Sequence, residues 1–174
     1  MGFSFKFKSL GDMRQLRTLV DFIAQQNLNY PHYEDWVQRT EAELINGYKQ
    51  AILAFSDKTL VGNLIYQSHK DSPFFLELKN LRVRPEFRMR DFARFMLKQV
   101  EAESKGKYSA IICDARADRH DSVSFMLGLG YSQLISLPLY ESNSSDIVLI
   151  KFFDDTNKGN LEMIAKKFSS ESAV

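Results

Sequence analysis

The sequence has little cysteine, little histidine and no long hydrophobic run, and each shortage excludes a class of protein. A single cysteine, Cys113, cannot form an internal disulfide or a cysteine-rich zinc site. Three scattered histidines in 174 residues do not indicate a metal site. No apolar run approaches the roughly 20 residues that span a bilayer, and residues 1–10 lack the hydrophobic block of a signal peptide. We therefore expect a soluble, cytoplasmic protein without a metal.

The chain also lacks an excess of either charge. Lysine and arginine number 23 against 22 aspartates and glutamates, which leaves a formal charge of +1. This balance disfavours a globally basic nucleic-acid-binding protein, although it leaves room for a local basic patch. Hydrophobic residues make up 44% of the chain and aromatic residues 13%. That composition is typical of a folded protein with a substantial core rather than a disordered one.

The order of periodic segments predicts a mixed α/β fold. Phe3, Phe5 and Phe7 alternate with polar residues, as in a strand with one buried face. Leu16 and Ile23 belong to an apolar set at helical spacing. The same reasoning along the chain predicts a strand at 3–7, helices at 13–23 and 34–45, strands at 50–55, 60–67 and 74–84, a helix from 92 to about 105, a strand at 108–113, a helix near 122–129, and strands at 135–139 and 147–153.

No internal repeat and no linker interrupts this order, so one domain is expected over residues 1–153. The remaining tail, residues 154–174, is mostly polar. Within it, Leu161, Ile164 and Phe168 recur at helical spacing, which indicates a short helix. That helix either packs on the domain or forms a homodimer, and the sequence does not choose between the two.

A basic segment joins the predicted strand 74–84 to the helix that follows it. The N-terminus of a helix presents unpaired N–H groups and the positive end of its dipole, which together attract phosphate oxygens. Arg88, Arg90 and Arg94 add positive charge within one turn of that terminus. Taken alone, however, five arginines between residues 82 and 94 are more typical of a solvated face. A nucleic-acid patch is a further alternative, which the near-zero net charge disfavours.

The segment resembles the pyrophosphate loop of the GNAT superfamily of N-acetyltransferases. In that family a strand ending in V-x-P-x-(Y/F)-R leads into R/Q-x-x-G-x-G/A, and here the strand end is Val83-Arg84-Pro85-Glu86-Phe87-Arg88 and the loop runs from Arg88 to Ala93. The element order also matches that fold from near residue 3 to near residue 153. The resemblance implies a mostly antiparallel central sheet flanked by helices. It also implies an enzyme that transfers an acetyl group from acetyl-CoA, as co-substrate, to a primary amine.

The resemblance further implies which residues hold the acetyl-CoA. The strand before the loop would pair its backbone with the pantetheine arm, the loop would hold the diphosphate, and the start of the helix after Asp118 would contact the cofactor. The cofactor-binding residues implied in this way are Leu81, Arg82, Val83, Arg88, Met89, Arg90, Asp91, Phe92, Ala93 and Arg119.

Three positions depart from the family pattern. Asp91 stands where the first loop glycine is expected, so its charge would either oppose the diphosphate or cap its own helix. Arg119 replaces an asparagine that often contacts the cofactor. Met126 replaces a tyrosine that often protonates the leaving thiolate, and a thioether cannot donate a proton. We therefore predict that Met126 is a packing residue, and Ser124, His120 or solvent remain as proton donors.

A carboxylate that removes a proton from the amine would accelerate acetylation, because only the neutral amine attacks the thioester. Glu77 lies eleven residues before Arg88 on the strand that leads into the loop. Histone-acetylating members of the family have a catalytic glutamate at that spacing, so the resemblance implies that Glu77 is the base. Alternation places it on the same strand face as Lys79 and Leu81. An ordinary exposed carboxylate paired with Lys79 would fit the same sequence.

The loop between the first two predicted helices carries a polar and aromatic cluster. In the family this region borders the acceptor pocket, so the resemblance implies that Tyr30, His32 and Tyr33 bind the acceptor, a small molecule or a peptide amine. A loop anchored by aromatic packing would look the same. No membrane partner is expected. Two other functions stay open: a GNAT-fold CoA-binding or protein-interaction module without catalysis, and a phosphate- or RNA-contacting domain.

Overall fold

The computed structural model describes residues 4–26, 30–141, 143–154 and 164–166. Its strands are β1 (Phe5–Ser9), β2 (Lys49–Ser56), β3 (Thr59–Ser68), β4 (Phe75–Val83), β5 (Ala110–Arg116), β6 (Ser132–Leu137) and β7 (Asp146–Phe152). Its helices are α1 (Met13–Ala24), α2 (Tyr33–Ile45), α3 (Phe92–Ser104) and α4 (His120–Gly128), with a 3-10 turn at Pro85–Phe87. The chain divides into two compact units, residues 1–68 with 78–103 and residues 69–77 with 104–174.

The predicted fold class, mixed α/β with a mostly antiparallel sheet flanked by helices, is confirmed. Each predicted strand and helix up to residue 153 is found in the described part of the chain, with ends that differ by a few residues. Phe3, which entered the pattern of the first strand, lies outside the described residues. The clearest difference is β5, which was predicted to end at Cys113 but continues to Arg116, because three half-buried residues still pair with β7.

The first unit contains strands in the order β1-β2-β3-β4, with β1 and β3 antiparallel to β2. Helices α1 and α2 bury their apolar faces on these strands. Leu19 and Ile23 of α1, together with Leu53 and Ile65 of the strands, are fully buried in this core. β3 is buried on both faces over almost its whole length, because it is an interior strand covered on both sides.

A glycine allows a close approach inside the first unit. A Cβ atom added to Gly62 of β3 would lie 2.9 Å from the Arg82 carbonyl oxygen, 3.2 Å from Met96 Cε and 3.3 Å from a Val83 methyl group. Only a residue without a side chain lets the end of β4 and the start of α3 come so near to β3. Gly62 therefore determines where the turn between β4 and α3 begins.

The second unit contains the first residues of β4 and the strands β5, β7 and β6, in that hydrogen-bonded order. β7 is antiparallel to both β5 and β6. Ala110, Ile112 and Ile150 form its core, and Ile164 packs against them from a helical turn at residues 164–166. The predicted tail helix is thus seen only in this turn, since Leu161 and Phe168 lie outside the described residues. A homodimer, and one domain over 1–153, stay predictions.

Candidate functional site

The turn between β4 and α3 is built by a short series of local hydrogen bonds. The Phe87 N–H donates to the Arg84 carbonyl at 2.9 Å, and the Arg88 N–H donates to the Pro85 carbonyl at 3.2 Å. Pro85 opens the 3-10 turn, where its fixed φ is favourable and its missing N–H is not needed. We refer to residues 84–91 as the arginine turn.

The arginine turn contains two residues in the left-handed backbone region. Met89 has φ of 58° and Asp91 has φ of 59°. This conformation is unfavourable by about 1–2 kcal/mol for an L-residue, although aspartate tolerates it better than most. The family prefers glycine at the position of Asp91, and the positive φ supplies the physical reason. Left-handed residues in a turn also help backbone N–H groups converge into an anion-binding concavity.

The carboxylate of Asp91 is engaged by its own helix. Its Oδ1 lies 3.2 Å from Arg94 Nε, and its carbonyl accepts the Phe95 N–H at 2.9 Å, the first bond of α3. Asp91 therefore interacts with its own helix through the Arg94 ion pair and a backbone hydrogen bond. Because Arg94 offsets its negative charge, Asp91 is less of an obstacle to an anion than the sequence suggested.

The remaining arginines of the segment differ in environment. Arg88 is exposed, and its Nε donates to the Val83 carbonyl at 3.3 Å. Arg90 is also exposed, with its guanidinium 5.4 Å from the centre of the Phe87 ring. Arg82 and Arg84, in contrast, are half-buried. The five arginines therefore do not form one solvated face.

These features fit a diphosphate. The 13-residue helix α3 directs unpaired N–H groups and the positive end of its dipole at the turn. The exposed guanidinium groups of Arg88 and Arg90 lie in the same turn and pair well with phosphate oxygens. The predicted backbone segment Leu81–Val83 leads directly into it, with half-buried side chains.

Glu77, the predicted base, is half-buried on β4, in the part of the strand that belongs to the second unit. Its neighbours Leu76 and Leu78 are buried, so the alternation that the sequence predicted is present. Its role as the base stays a prediction.

Other predicted residues of the second unit lie at the start of α4. Arg119 is exposed and precedes the helix, and its carbonyl accepts the N–H groups of Ser122 and Val123 at 3.0 and 3.1 Å. His120 and Ser124 are exposed on α4. Met126 is only 5% exposed, which confirms the prediction that it is a packing residue.

Tyr30, His32 and Tyr33 do come together, as predicted, around one open depression of about 350 Å³ that is also lined by Glu34 and Asp35. His32 immediately precedes α2 and has φ of 56°, and its Nδ1 lies 3.5 Å from an oxygen of Asp35. We call this concavity the aromatic depression. Its exposed carboxylates, Glu34 and Asp35, can contact an amine-bearing molecule.

Within this group, Tyr33 has a structural task. It is buried, and its hydroxyl donates to the Ile23 carbonyl of α1 at 2.8 Å, while its ring stacks on Trp36 at 5.4 Å. Burial raises the pKa of the Tyr33 phenol, and the positive charge of Arg82 opposes that effect. Tyr33 thus contributes a ring to the depression while its hydroxyl joins α1 to α2.

A buried lysine near the aromatic depression was missed by the sequence reasoning. Lys49 Nζ lies 2.6 Å from Glu43 Oε2, 2.9 Å from Thr40 Oγ1 and 5.5 Å from the centre of the Trp36 ring. Burial lowers the pKa of the Lys49 ammonium, and the hydrogen bond and charge of Glu43 oppose this shift. Residues two apart in a strand lie on the same face, and Lys49 lies two positions before the buried Ala51. That spacing could have revealed that Lys49 is buried.

A carboxylate and phenol pair in the second unit was also missed. The Tyr140 hydroxyl donates to Asp114 Oδ2 at 3.0 Å. Nearby along β7, Asp146 is fully buried and accepts the Leu139 N–H at 3.1 Å, and burial raises the pKa of its carboxyl. Ending the predicted strand at Cys113 concealed this cluster, because Asp114 was assigned to a loop.

The single cysteine, Cys113, has the environment of a packing residue. Cys113 is buried in β5, and burial raises the pKa of its thiol, so the group stays protonated, as expected of a packing residue. In the part of the chain that the structure describes, no three histidine, cysteine, aspartate or glutamate side chains lie together so as to hold a metal ion. Likewise, no described helix is long and apolar enough to cross a membrane.

Comparisons with solved structures show the same fold in GNAT proteins. A GNAT-family protein from Desulfovibrio desulfuricans has a TM-score of 0.75 at 15% identity, with 86% of this chain and 99% of that chain covered. A ribosomal-protein-alanine N-acetyltransferase from Escherichia coli has a TM-score of 0.70 at 16% identity, covering 87% and 95%. An aminoglycoside 6'-N-acetyltransferase solved with coenzyme A has a TM-score of 0.68 at 17% identity, covering 84% and 96%.

Sequence comparison with curated proteins finds no match. In contrast, the profile of the family described as acetyltransferase (GNAT) matches residues 13–131, which is more than half of the chain and includes α1, the arginine turn and α4. The chain belongs to the GNAT family of acetyltransferases.

Proposed function

We propose that this GNAT acetyltransferase moves the acetyl group of acetyl-CoA to a primary amine by direct attack of the amine. The arginine turn carries the proposal. Its left-handed residues Met89 and Asp91, its exposed Arg88 and Arg90, and the N-terminus of α3 fit the diphosphate of this co-substrate. The GNAT neighbour solved with coenzyme A supports the same ligand class.

In the proposed mechanism, acetyl-CoA supplies an activated acetyl group as a thioester. Backbone N–H groups of residues 89–93 and the guanidinium groups of Arg88 and Arg90 hold the diphosphate, while the backbone of residues 81–83 pairs with the pantetheine arm. Arg119 contacts the cofactor from the start of α4. The proposed contacts need no covalent intermediate, which agrees with a Cys113 thiol that is buried and protonated.

The proposal assigns the remaining steps to side chains. Glu77 accepts the proton of the attacking amine, directly or through water. Tyr30, His32 and the ring of Tyr33 hold the acceptor in the aromatic depression. The proton for the leaving thiolate comes from solvent or from an exposed group at the start of α4, because the buried thioether of Met126 has none to give.

The same Met126 favours a second candidate function, a GNAT-fold module that binds CoA without catalysis. A methionine at the position where the family often has a proton-donating tyrosine leaves the fold intact, since it packs well, but removes one catalytic group. Binding without turnover would distinguish this candidate from the enzyme.

The proposal is tested in two stages. Acetyl-CoA at about 100 times its Kd should stabilise the folded protein by about 2.7 kcal/mol, which raises Tm by several degrees. Turnover is then followed as free thiol released from acetyl-CoA with a panel of amines, including an N-terminal alanine peptide, an aminoglycoside and a polyamine. Unchanged Tm at saturating acetyl-CoA would contradict the cofactor assignment, and a shift without thiol release from any amine would favour the non-catalytic module.

A further inference from the structure

We infer that Arg84 is a positioning residue that holds the arginine turn in the shape that receives the diphosphate, without touching the cofactor. The inference rests on the proposed function, because it assigns the turn to acetyl-CoA. Its basis is a set of contacts within the first unit that join Arg84 to β3 and α1.

Arg84 is attached to two successive carbonyl groups of β3. Its backbone N–H donates to the Val61 carbonyl at 2.8 Å, and its side-chain Nε donates to the Leu60 carbonyl at 2.9 Å. Its guanidinium also lies 5.2 Å from the centre of the Phe22 ring on α1, and that ring is 3% exposed. A backbone bond, a charge-assisted side-chain bond and a cation–π contact thus act on one residue.

These carbonyl groups belong to an irregularity of β3. Ala54 pairs with Gly62 while the next residue of β2, Phe55, pairs with Leu60, so Val61 is an extra residue in the strand. A bulge of this kind disrupts the regular ladder of hydrogen bonds. Arg84 donates hydrogen bonds to the carbonyl groups of Leu60 and Val61. These bonds attach the start of the arginine turn to the irregular part of β3.

The hydrogen bonds of the arginine turn begin at Arg84, the residue attached to β3. The Arg84 carbonyl accepts the Phe87 N–H, and Arg88 returns to the Val83 carbonyl. Beyond them, Met89 and Asp91 hold left-handed conformations that are unfavourable for L-residues. Such a backbone persists only where its surroundings determine it, and Arg84 contacts both β3 and α1.

The environment of Arg84 separates it from the arginines proposed to contact phosphate. Its Nε is directed at the Leu60 carbonyl and its guanidinium covers a buried ring, and the residue is half-buried. Arg88 and Arg90 are exposed at the end of the same turn. Replacing Arg84 should therefore change the shape of the site, whereas replacing Arg90 should change its charge.

The test measures the Kd of coenzyme A by titration calorimetry at low and high ionic strength, for wild type and for Arg84→Met, Arg90→Met and Arg17→Met. Arg84→Met should weaken binding roughly tenfold, the value expected for a lost charge-assisted bond. Most of that loss should persist at high ionic strength, because salt screens only the long-range effect of the removed charge and not the change in the shape of the turn. The loss for Arg90→Met should shrink at high salt. The exposed Arg17 of α1 serves as the control and should match wild type.

Circular dichroism and Tm establish that each variant folds. If Arg84→Met does not fold, Phe22→Leu takes its place, since it keeps the charge and most of the apolar volume but removes the ring under the guanidinium. It should weaken binding in the same direction and independently of salt. Restored affinity in Arg84→Lys, which retains the charge and one donor, would add support.

Three results would overturn the inference. Wild-type affinity in a folded Arg84→Met variant would show that the contacts of Arg84 are not needed for the site. A loss that disappears at high salt would show a direct phosphate contact instead of positioning. If wild type itself does not bind coenzyme A, the proposed function fails first and the inference fails with it, so the two failures are distinguishable.

Discussion

At the scale of single residues, the arginine turn shows how backbone conformation limits which side chains a site accepts. Asp91 occupies a left-handed position that suits glycine, and it does so as one of the few residue types that tolerate it. Its carboxylate is then offset by Arg94 at 3.2 Å. Aspartate is thus tolerated at this position for two reasons: it can adopt the left-handed conformation, and its negative charge is paired with Arg94.

Removing the charge of Asp91 should tighten coenzyme A binding. Both Asp91→Gly and Asp91→Asn release Arg94 and remove a negative charge from the N-terminus of α3, and asparagine also keeps the tolerance for positive φ. We expect a two- to fivefold lower Kd, as is typical of one charge at a helix end. Calorimetric titration measures it, and the comparison of the two variants separates charge from conformation. Weaker binding by both would mean that Asp91 supports the cofactor directly.

At the scale of secondary-structure elements, the position of the arginine turn depends on β3. Val61 forms a bulge in β3, and Gly62 beside it has no side chain. Arg84, at the start of the turn, donates a hydrogen bond to the Leu60 carbonyl of the same strand. Helix α3 can begin where it does because Met96 packs against Gly62. The arginine turn is therefore an extension of the sheet rather than an independent loop.

Adding one methyl group at Gly62 should destabilise the protein. In Gly62→Ala the new Cβ would lie 2.9 Å from a backbone carbonyl, which cannot move without shifting β4. We expect a loss of about 2 kcal/mol in the free energy of unfolding, as for other overpacked sites, measured by urea denaturation. The matched control is Gly128→Ala in α4, where a Cβ meets nothing within 4 Å and alanine favours the helix.

Gly62→Ala should lower the free energy of unfolding, whereas Gly128→Ala should not, so the comparison tests whether the close contacts at Gly62 matter. Gly128→Ala should leave the protein unchanged or stabilise it by up to about 1 kcal/mol. Equal effects at both glycines would mean that the close approach at β3 relaxes at little cost, and that Gly62 does not determine the start of the turn.

At the scale of the whole molecule, the two compact units contribute different chemistry. The first contains the arginine turn and the aromatic depression, while the second contains Glu77, the start of α4 and the Asp114–Tyr140 pair. Each unit therefore contains candidate residues of its own for the proposed function.

Glu77 is the residue on which the proposed catalysis depends most. Replacing it in Glu77→Gln should lower kcat about 100-fold with an amine substrate while leaving the KM for acetyl-CoA near the wild-type value, because a base acts on the proton and not on the cofactor. Raising the pH should recover part of the rate, since more of the amine is then neutral in solution. Steady-state thiol release measures both effects.

An exposed glutamate of α3 provides the control for this variant. Glu103→Gln makes the same change of charge at an exposed residue that accepts a hydrogen bond from Gln99, and its kinetics should match wild type. If Glu77→Gln is as active as this control, Glu77 is not the base, and the carboxylate of Asp114 becomes the next group to replace.

The sequence by itself determined what depends on neighbouring residues. Periodicity located the strands and helices, and Pro85 marked the end of β4, because helix starts and prolines act over a few residues. The V-x-P-x-F-R segment before a helix supplied the resemblance to the GNAT family. The same local reasoning predicted correctly that Met126 packs in the interior.

Only the tertiary structure decided which side chains are exposed to a ligand and which are bonded within the protein. Arg84 and Arg88 look alike in sequence, yet Arg84 bonds to a carbonyl 24 positions away and Arg88 is exposed. Lys49 is buried against Thr40 and Glu43, and Tyr33 uses its hydroxyl on Ile23. Such contacts join residues that the chain separates, and their free energy depends on burial and geometry, which appear only once the elements have packed.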